Sequence, residues 1–258
     1  MSTLVIIVVV GVFTGIAIAI VSKFFGVESN PLEDQVKELL PGANCGGCGY
    51  AGCSGYAKAL AEGKAAPGAC AAQKPEDLKK TAALLGASVE QKVPKVAVVF
   101  CSGDDTNATR QAQYNGINNC RDAMFVAAGA KTCTYGCLGL GACARVCPFG
   151  AIEITDKHLA VVHKELCRGC GKCVQACPKK LIRLVPRSAE IHVHCSNPMK
   201  GAVKLRGCKA ACIGCGKCVR TAPDNMRINN GTALAEVNYG NPPAEELAQV
   251  CPTHALRK

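Results

Sequence analysis

Four cysteines and a proline stand close together in residues 167–178, which read CRGCGKCVQACP. The cysteines are Cys167, Cys170, Cys173 and Cys177, and Pro178 closes the run. In the spacing Cys-x2-Cys-x2-Cys-x3-Cys-Pro, three thiolates hold one iron–sulfur cubane and the fourth reaches a second one. The run therefore predicts two 4Fe-4S clusters, whose chemistry is the transfer of single electrons.

The composition supports a chain built around metal clusters. It has 20 cysteines in 258 residues, no tryptophan and 4% aromatic residues. So few large side chains favour small modules in which metal binding supplies folding energy. Disulfides need an oxidising compartment and zinc prefers two separated pairs of thiolates, so neither fits overlapping triplets that end in Cys-Pro.

The formal charge of +11 could indicate an acidic partner or nucleic acid. A 4Fe-4S core held by four thiolates carries about −2 in total, so five clusters would leave a net charge of about +1. No stacking-aromatic or helix-turn-helix reader is present, and we predict no nucleic-acid partner.

The N-terminus is an uncharged run over residues 3–21, TLVIIVVVGVFTGIAIAIV. At a rise of about 1.5 Å per residue, a helix of this length just spans a bilayer core of about 30 Å. Lys23 follows the run, and the positive-inside rule then places the cysteine domains in the cytoplasm. The sequence predicts a single-pass anchor in the cell membrane over residues 1–23.

A second cysteine group follows the predicted anchor. Asn30 and Pro31 predict a helix start, and a further helix is expected over 54–62. The glycine-rich segment has the spacing Cys-x2-Cys-x4-Cys-x16-Cys, which predicts one 4Fe-4S cluster on Cys45, Cys48, Cys53 and Cys70. A helical linker over 71–93 and a strand ending at Cys101 are predicted next.

The rest of the chain contains an internal repeat. The first copy has Cys120, Cys133, Cys137, Cys143 and Cys147, and the second has Cys195, Cys208, Cys212, Cys218 and Ala222. Each copy continues into a predicted hairpin, AIEITDKHLAVV in the first and MRINNGTALAEV in the second. The copies end at Cys177-Pro178 and Cys251-Pro252.

The crossed exchange of fourth ligands in two-cluster ferredoxins predicts how these cysteines group. Cys147 should join Cys167, Cys170 and Cys173. Leu140 occupies the place of a middle cysteine, and Cys133 is the nearest substitute, which gives the set Cys133, Cys137, Cys143 and Cys177. The second copy gives the set Cys212, Cys215, Cys218 and Cys251. Its other cluster would need cysteines at Ala222, Asn241, Ala244 and Leu247, and its loss is therefore predicted.

Four cysteines remain outside these sets, namely Cys101, Cys120, Cys195 and Cys208. They could hold a fifth cluster between the two copies or remain buried free thiols, and the sequence leaves both open. Cys208, Cys212 and Cys215 also match the spacing of radical S-adenosylmethionine enzymes, but too few residues follow for the barrel those enzymes need. The histidines form no ligand pair. His194 lies beside Cys195 and could be a cluster neighbour, but a surface position is expected for it.

Four segments of the chain together resemble the B subunit of the Rnf complex. They are the uncharged N-terminal run, GANCGGCGYAGC, CTYGCLGLGACARVCPFGAI and CRGCGKCVQACPKKLI. The resemblance implies an ion-translocating ferredoxin:NAD oxidoreductase that pumps sodium ions or protons. It implies soluble ferredoxin and other membrane and peripheral subunits as partners, and no catalytic residues beyond electron transfer. By resemblance, Cys45, Cys48, Cys53 and Cys70 hold one cluster, and Cys133, Cys137, Cys143, Cys147, Cys167, Cys170, Cys173 and Cys177 hold two more.

A relay subunit of another redox enzyme, such as a hydrogenase or dehydrogenase, stays open as the alternative. Bacterial ferredoxins are usually acidic, and a basic rim of Lys172, Lys179, Lys180 and Arg183 is predicted as the docking surface.

The expected fold is α+β, with one transmembrane helix, a small 4Fe-4S module and two ferredoxin-like modules of short hairpins and helices. The predicted boundaries are 1–23 for the anchor, 28–90 for the 4Fe-4S module with its linker, 93–132 for a connecting region, 133–186 for the two-cluster module and 187–258 for the degenerate module. Four clusters are predicted, with a fifth if the remaining cysteines are ligands.

Overall fold

The computed structural model describes residues 3–25, 30–89 and 93–258. Its helices are α1 (Thr3–Phe25), α2 (Pro31–Glu38), α3 (Gly52–Ala61), α4 (Pro75–Leu84), α5 (Cys120–Phe125), α6 (Ala142–Arg145), α7 (Lys172–Ala176), α8 (Gly201–Gly207) and α9 (Lys217–Thr221). Its strands are β1 (Lys95–Val99), β2 (Ile152–Ile154), β3 (Ala160–Val162), β4 (Ile182–Pro186), β5 (His192–Val193), β6 (Met226–Ile228), β7 (Ala235–Val237) and β8 (Leu256–Arg257). A 3-10 helix covers Glu245–Val250. The mixture of short helices and strands confirms the predicted α+β class.

The strands form antiparallel pairs, β1 with β4, β2 with β3, β5 with β8, and β6 with β7. The outer pair β1–β4 encloses the hairpin β2–β3 in the chain, and the outer pair β5–β8 encloses the hairpin β6–β7 in the same way. Both predicted hairpins are confirmed. The repeat is therefore two ferredoxin-like copies, each made of one outer pair and one inner hairpin.

The structural repeat has a different register from the one predicted. Cys101 follows β1 and Cys195 follows β5, each two residues after the last residue of its strand. Both N–H groups donate to the carbonyl of the strand end, from Cys101 to Val99 and from Cys195 to Val193, at 2.9 Å. Cys101, and not Cys120 as predicted, is thus the counterpart of Cys195. Cys120 lies in a longer connection of the first copy, on α5.

The N-terminal module is built from α2 packed on α3. Asn30 caps α2 as predicted, because its Oδ1 accepts the Leu32 N–H at 3.0 Å. α3 begins at Gly52, slightly earlier than predicted. Its first turn is capped by Asn44, whose Oδ1 accepts the Cys53 N–H at 2.8 Å. Such a cap from nine residues away is not visible as a local sequence signal.

The helix predicted over 3–21 is formed and extends over Thr3–Phe25. Against the prediction that it spans a membrane, no helix within the described ranges is both long and apolar enough to cross a bilayer. The predicted linker is helical over Pro75–Leu84, and the predicted linker residues 90–92 lie outside the described ranges.

The N-terminal module lies directly against the first ferredoxin-like copy. A Cβ added to Gly47 would stand 2.5 Å from the carbonyl oxygen of Cys170. That separation is too short for any side chain, so glycine is required where the two cysteine loops meet. The contact brings the loop of the N-terminal module onto the loop of the CRGCGKCVQACP run.

Candidate iron–sulfur centres

All 20 cysteines are free thiols, and the structure gathers them into groups of four. The first quartet is Cys45, Cys48, Cys53 and Cys70. The second is Cys147, Cys167, Cys170 and Cys173. The third is Cys120, Cys137, Cys143 and Cys177. The fourth is Cys101, Cys133, Cys195 and Cys208. The fifth is Cys212, Cys215, Cys218 and Cys251.

The first, second and fifth quartets have the members that the sequence predicts. In the first, Tyr56 packs beside the thiols, and its hydroxyl donates to the Ala66 carbonyl at 3.0 Å and accepts the Ala69 N–H at 3.2 Å. These bonds hold the chain segment that leads to Cys70, the member farthest away in sequence. The quartet is therefore closed by tertiary contacts around one aromatic ring.

The second and third quartets exchange cysteines across two short helices. Cys143 lies on α6 and Cys147 follows it, while Cys173 lies on α7 and Cys177 follows it. Residues four apart lie on one face of a helical turn, yet each pair is divided between the two quartets. The structure thus groups these cysteines in the crossed manner that the sequence predicts.

The structure departs from the prediction by exchanging Cys120 and Cys133. Cys120 lies with the third quartet, and Cys133 lies with the fourth. Leu140 leaves the third quartet one thiol short, and α5 in the long connection supplies it. Equal sequence intervals follow Cys120 and Cys195, and they predict that these two cysteines are equivalent. That prediction is wrong, because the first copy has an insertion after β1 that the intervals do not reveal.

The loop around Leu140 keeps the backbone of a complete ligand loop. Glycines flank Leu140, Cys170 and Cys215 on both sides, and all six have positive φ. Their values are 73° and 76° at Gly139 and Gly141, 67° and 78° at Gly169 and Gly171, and 68° at both Gly214 and Gly216. Only glycine adopts this conformation at little cost, so position 140 has the same backbone setting as two ligand positions.

The fourth quartet joins equivalent positions of the two copies. Cys101 Sγ accepts the N–H of Gly103 and the N–H of Cys137, both at 3.3 Å. Cys195 accepts backbone N–H groups from Asn197 and Cys212, at the corresponding positions of the second copy. Hydrogen bonds of this kind stabilise a thiolate and tune a bound cluster.

In the fifth quartet, several hydrogen bonds converge on the Cys251 thiol. Burial alone would raise the pKa of Cys251, but backbone N–H groups of Leu256 and Thr253 and the Thr253 hydroxyl outweigh burial and lower that pKa. Thr253 Oγ1 lies 3.7 Å from the sulfur. The other Cys-Pro motifs have Phe149 and Lys179 at this position, so sequence comparison within the repeat could have singled out Thr253.

The positions of the predicted lost cluster are occupied without thiols. Leu247 is only 7% exposed and packs in the core around Met226, with Ala222 against the same core. Apolar packing therefore occupies two of the four positions, while Asn241 and Ala244 are exposed. The fifth quartet has no further quartet beyond it in the described part of the chain.

Burial keeps many of the thiols neutral when no cation is bound. It raises the pKa of Cys101, Cys143 and Cys173 to about 12. Metal binding needs the thiolate, so ligation must release these protons. Among the described residues, no three His, Cys, Asp or Glu side chains are close enough to share a single metal ion. The thiols of the second to fifth quartets instead surround cavities.

Two buried lysines indicate whether the surroundings of the quartets suit an anionic cluster. Lys131 is 4% exposed and Lys204 is 2% exposed. Lys131 Nζ donates to the carbonyls of Gly103 at 2.6 Å and His158 at 2.9 Å, and Lys204 Nζ donates to the Cys212 carbonyl at 3.0 Å. Neither has a carboxylate partner within the described chain. A buried charge without a counter-charge is costly.

The fourth quartet lies close to both buried ammonium groups. The positive charge of Lys131 lowers the pKa of Cys101, and that of Lys204 lowers the pKa of Cys195. In both thiols burial raises the pKa by more. Ser102 Oγ, on the same cavity, is buried and has no hydrogen-bond partner there. Four thiolates around a 4Fe-4S core would supply both the missing negative charge and acceptor atoms, so the residues present fit such a group.

One member of the predicted docking rim and the predicted surface position of His194 are wrong, while Lys180 and Arg183 of the rim are exposed. Lys179 of the predicted docking rim is turned inward, and its Nζ donates to the carbonyls of Ala128 at 2.7 Å and Thr134 at 2.5 Å. Arg183 stacks over the Phe100 ring at 4.4 Å. His194 lines the fourth cavity, bonds the Val99 carbonyl at 2.8 Å, and has its pKa lowered to about 4 by burial.

The assignment of Cys120 predicts a specific rescue. Cys120→Ala should lose about four iron atoms per chain, and adding Leu140→Cys should restore them, because position 140 has the backbone of a ligand loop. Iron analysis and electron paramagnetic resonance of the three proteins provide the measurement.

Cys133→Ala is the matched control, because Leu140→Cys should not rescue it. If Leu140→Cys restored iron to Cys133→Ala and left Cys120→Ala deficient, the grouping predicted from sequence would be correct and the one in the structure wrong.

Comparison with known families agrees with this arrangement of cysteines. A family described as "Putative Fe-S cluster" matches residues 40–72. The family of the 4Fe-4S dicluster domain matches residues 132–181. The first match contains the first quartet, and the second contains most of the second and third quartets.

Curated relatives cover most of the chain. The B subunit of the proton-translocating ferredoxin:NAD(+) oxidoreductase complex of Clostridium ljungdahlii is 38% identical, over 98% of this chain and 90% of its own length. The B subunit of the ion-translocating oxidoreductase complex of Methanosarcina acetivorans is 42% identical over 74% of this chain and 72% of its own length. The B subunit of the Na(+)-translocating ferredoxin:NAD(+) oxidoreductase complex of Acetobacterium woodii is 40% identical over 79% of this chain and 61% of its own length.

The identity extends through both ferredoxin-like copies and the N-terminal module, as the coverage of the Clostridium ljungdahlii protein requires. The cysteine-rich architecture and the relatives agree, and the chain belongs to the family of B subunits of the Rnf complex, the ion-translocating ferredoxin:NAD oxidoreductase.

Proposed function

We propose that this chain is the iron–sulfur electron relay of an ion-translocating ferredoxin:NAD oxidoreductase. It takes electrons from soluble ferredoxin and passes them to other subunits of the complex. The observation that carries the proposal is that the five quartets lie in one series, each in contact with the next. Relatives whose names describe such complexes support the same reading.

The five quartets are proposed to hold five 4Fe-4S clusters, with the cysteines of each quartet as ligands. A bound cluster supplies a centre that takes up and gives back one electron. The chain itself positions the thiols, shields them from water and directs N–H donors at their sulfurs. It has no catalytic residue of its own in this proposal, and the ion translocation belongs to the assembled complex.

The first junction joins the N-terminal module to the second quartet. Gly47 allows the loop of the first quartet to touch the backbone at Cys170. Burial raises the pKa of Cys170, and the nearby Cys45 adds to that rise. The close approach of Gly47 to the Cys170 carbonyl makes the two quartets neighbours.

The remaining junctions also run through direct contacts. The second and third quartets share α6 and α7, which pack on each other. The third and fourth are linked by the bond from the Cys137 N–H to Cys101 Sγ at 3.3 Å. The fourth and fifth are linked by the Cys212 N–H, which donates to Cys195. Electron transfer slows steeply with distance, so contacts at every junction favour a continuous relay.

A break in the middle of the series tests the relay. Cys133→Ser with Cys208→Ser should remove the fourth centre, with a loss of about four iron atoms per chain. Ferredoxin should then reduce only the centres on one side of the gap at the wild-type rate. Stopped-flow absorbance and freeze-quench electron paramagnetic resonance would follow each centre, with dithionite reduction as the control for intact clusters.

Two results would contradict the relay. Reduction of all remaining centres at the wild-type rate would mean that the quartets do not act in series. Failure of reduced ferredoxin to reduce the wild-type protein, while dithionite does, would mean that the donor is wrong. Circular dichroism of the variant should match that of the wild type, so that misfolding is separated from loss of one centre.

We also propose that α1 anchors the chain in the cell membrane, with the cysteine domains on the cytoplasmic side. Large apolar side chains of α1 are exposed, including Ile7 at 70%, Phe13 at 74% and Ile18 at 69%. An exposed apolar surface of this kind is unfavourable in water. Lipid or the helices of partner subunits would cover it in the proposed complex.

Removal of the helix tests the anchor. Deletion of residues 1–23 should release the protein into the soluble fraction with its iron content unchanged, because every quartet lies beyond α1. Full-length Phe13→Arg with Ile16→Arg should also weaken membrane retention, since charge in the bilayer core is costly. A truncated protein that remains in the membrane fraction in the absence of other subunits would contradict the proposal.

A further inference from the structure

We infer that a small acidic electron-carrier protein docks on the surface around the fifth quartet, and that electrons arrive there. This surface, the Cys215 surface, consists of Cys215, Lys217, Arg220 and Lys200. The inference rests on the proposed relay function and identifies the face through which the relay is loaded. It differs from the predicted rim of Lys172, Lys179, Lys180 and Arg183, of which Lys179 is turned inward onto backbone carbonyls.

The first observation is the exposure of one ligand position. Of the 20 cysteines, Cys215 alone is exposed, and the others are buried or half-buried. Arg220 donates to the Cys215 carbonyl at 3.1 Å, which fixes the loop at the surface. A carrier bound over this loop could approach the thiols of the fifth quartet directly, because no buried layer separates Cys215 from the surface.

The second observation is the position of the fifth quartet in the series. It contacts the fourth quartet through Cys212, and apolar packing at Leu247 occupies the place where a further centre would be. The fifth quartet is therefore an end of the series. An end that is also exposed is suited to exchange with a soluble protein.

The third observation is charge. Residues 191–223 contain six Lys and Arg residues and no Asp or Glu. Lys204 is buried and the other five are exposed. The three charged residues of the Cys215 surface itself, Lys200, Lys217 and Arg220, are all basic and exposed, which favours an acidic partner. The opposite end of the series differs, because residues 39–57 around the first quartet contain no charged side chain.

The arrangement of α8 adds an apolar component beside the charge. Gly201 packs against Ile213, where an added Cβ would lie 3.1 Å from the Ile213 carbonyl oxygen, so Lys200 stands next to the ligand loop. Met199 and Val203 are 43% and 45% exposed. Exposed apolar groups bordered by polar side chains are typical of protein–protein interfaces.

The transfer itself needs no chemical group beyond the two carriers. With a 4Fe-4S cluster held by Cys212, Cys215, Cys218 and Cys251, the one electron lost by the reduced carrier would be the one electron gained by that cluster. No bond is formed or broken. The role of Lys200 and Lys217 is to raise the rate of encounter and to orient the carrier.

Charge reversal on the full-length, cluster-loaded protein tests the surface. Lys200→Glu with Lys217→Glu should slow the second-order reduction by a reduced two-cluster ferredoxin about tenfold or more at low salt. The difference should shrink in high salt, because screening shortens the reach of the charges. Reduction by photoreduced deazariboflavin, a small reductant, should be unchanged.

Lys79→Glu with Lys80→Glu on α4 is the matched control, because both lysines are exposed and the change in charge is the same. This variant should be reduced by ferredoxin at nearly the wild-type rate. Iron content should be equal in all three proteins. If the double variant lost iron, the single variant Lys200→Glu, whose substitution lies farther from the ligands, would take its place and should show a smaller slowing.

A binding measurement gives a second readout that does not depend on electron transfer. Carbodiimide cross-linking of oxidised ferredoxin to the wild-type protein should join ferredoxin carboxylates to Lys200 and Lys217, as identified by mass spectrometry. Cross-links confined to other lysines would overturn the inference. Equal ferredoxin rates for the wild type and the Lys200→Glu, Lys217→Glu variant at low salt would also overturn it, as would an equal slowing in the control.

These failures are separable from failure of the relay itself. If ferredoxin reduces the wild type and the double variant equally, the docking surface is wrong and the relay stands. If ferredoxin does not reduce the wild type while deazariboflavin does, the ferredoxin-fed relay is wrong and this surface has no role in it.

Discussion

Negative charge at the cysteine quartets is the constraint on which the rest of this protein depends. Lys131 and Lys204 are buried beside the fourth quartet and bonded only to backbone carbonyls. Carbonyl dipoles alone do not repay the loss of hydration of an ammonium group. In the proposed five-cluster protein, thiolates around an iron–sulfur core would provide the counter-charge, and the formal excess of +11 would largely balance the clusters.

The two ferredoxin-like copies differ in what stands where the two-cluster pattern would have a cysteine. In the first copy Leu140 stands at a ligand position, and Cys120 on an inserted helix brings a replacement thiol to the same cavity. In the second copy a whole centre is absent, and Leu247 packs into a hydrophobic core instead. Cys101 and Cys195, at matching strand ends, then join the copies through the fourth quartet. In the proposed five-cluster protein, cluster binding would connect the modules as well as fill them.

Local patterns in the sequence predict the parts of the structure that depend on neighbouring residues. The Asn30 cap and both hairpins depend on short-range contacts, and the structure confirms them. The membership of Cys120 and Cys133 depends on an insertion that changes no local motif, so equal intervals suggest a false equivalence. Lys179 resembles a surface charge for the same reason, because the carbonyls that bind it come from a segment about fifty residues away in the chain.

The central claim is that all five quartets hold a centre and that none is a group of free thiols. Iron and acid-labile sulfide counted on anaerobically purified full-length protein test it most directly, combined with alkylation of unligated cysteines and mass spectrometry. The account predicts about twenty iron and about twenty sulfide per chain, with no cysteine alkylated in the native protein. About sixteen of each, with Cys101, Cys133, Cys195 and Cys208 alkylated, would contradict it.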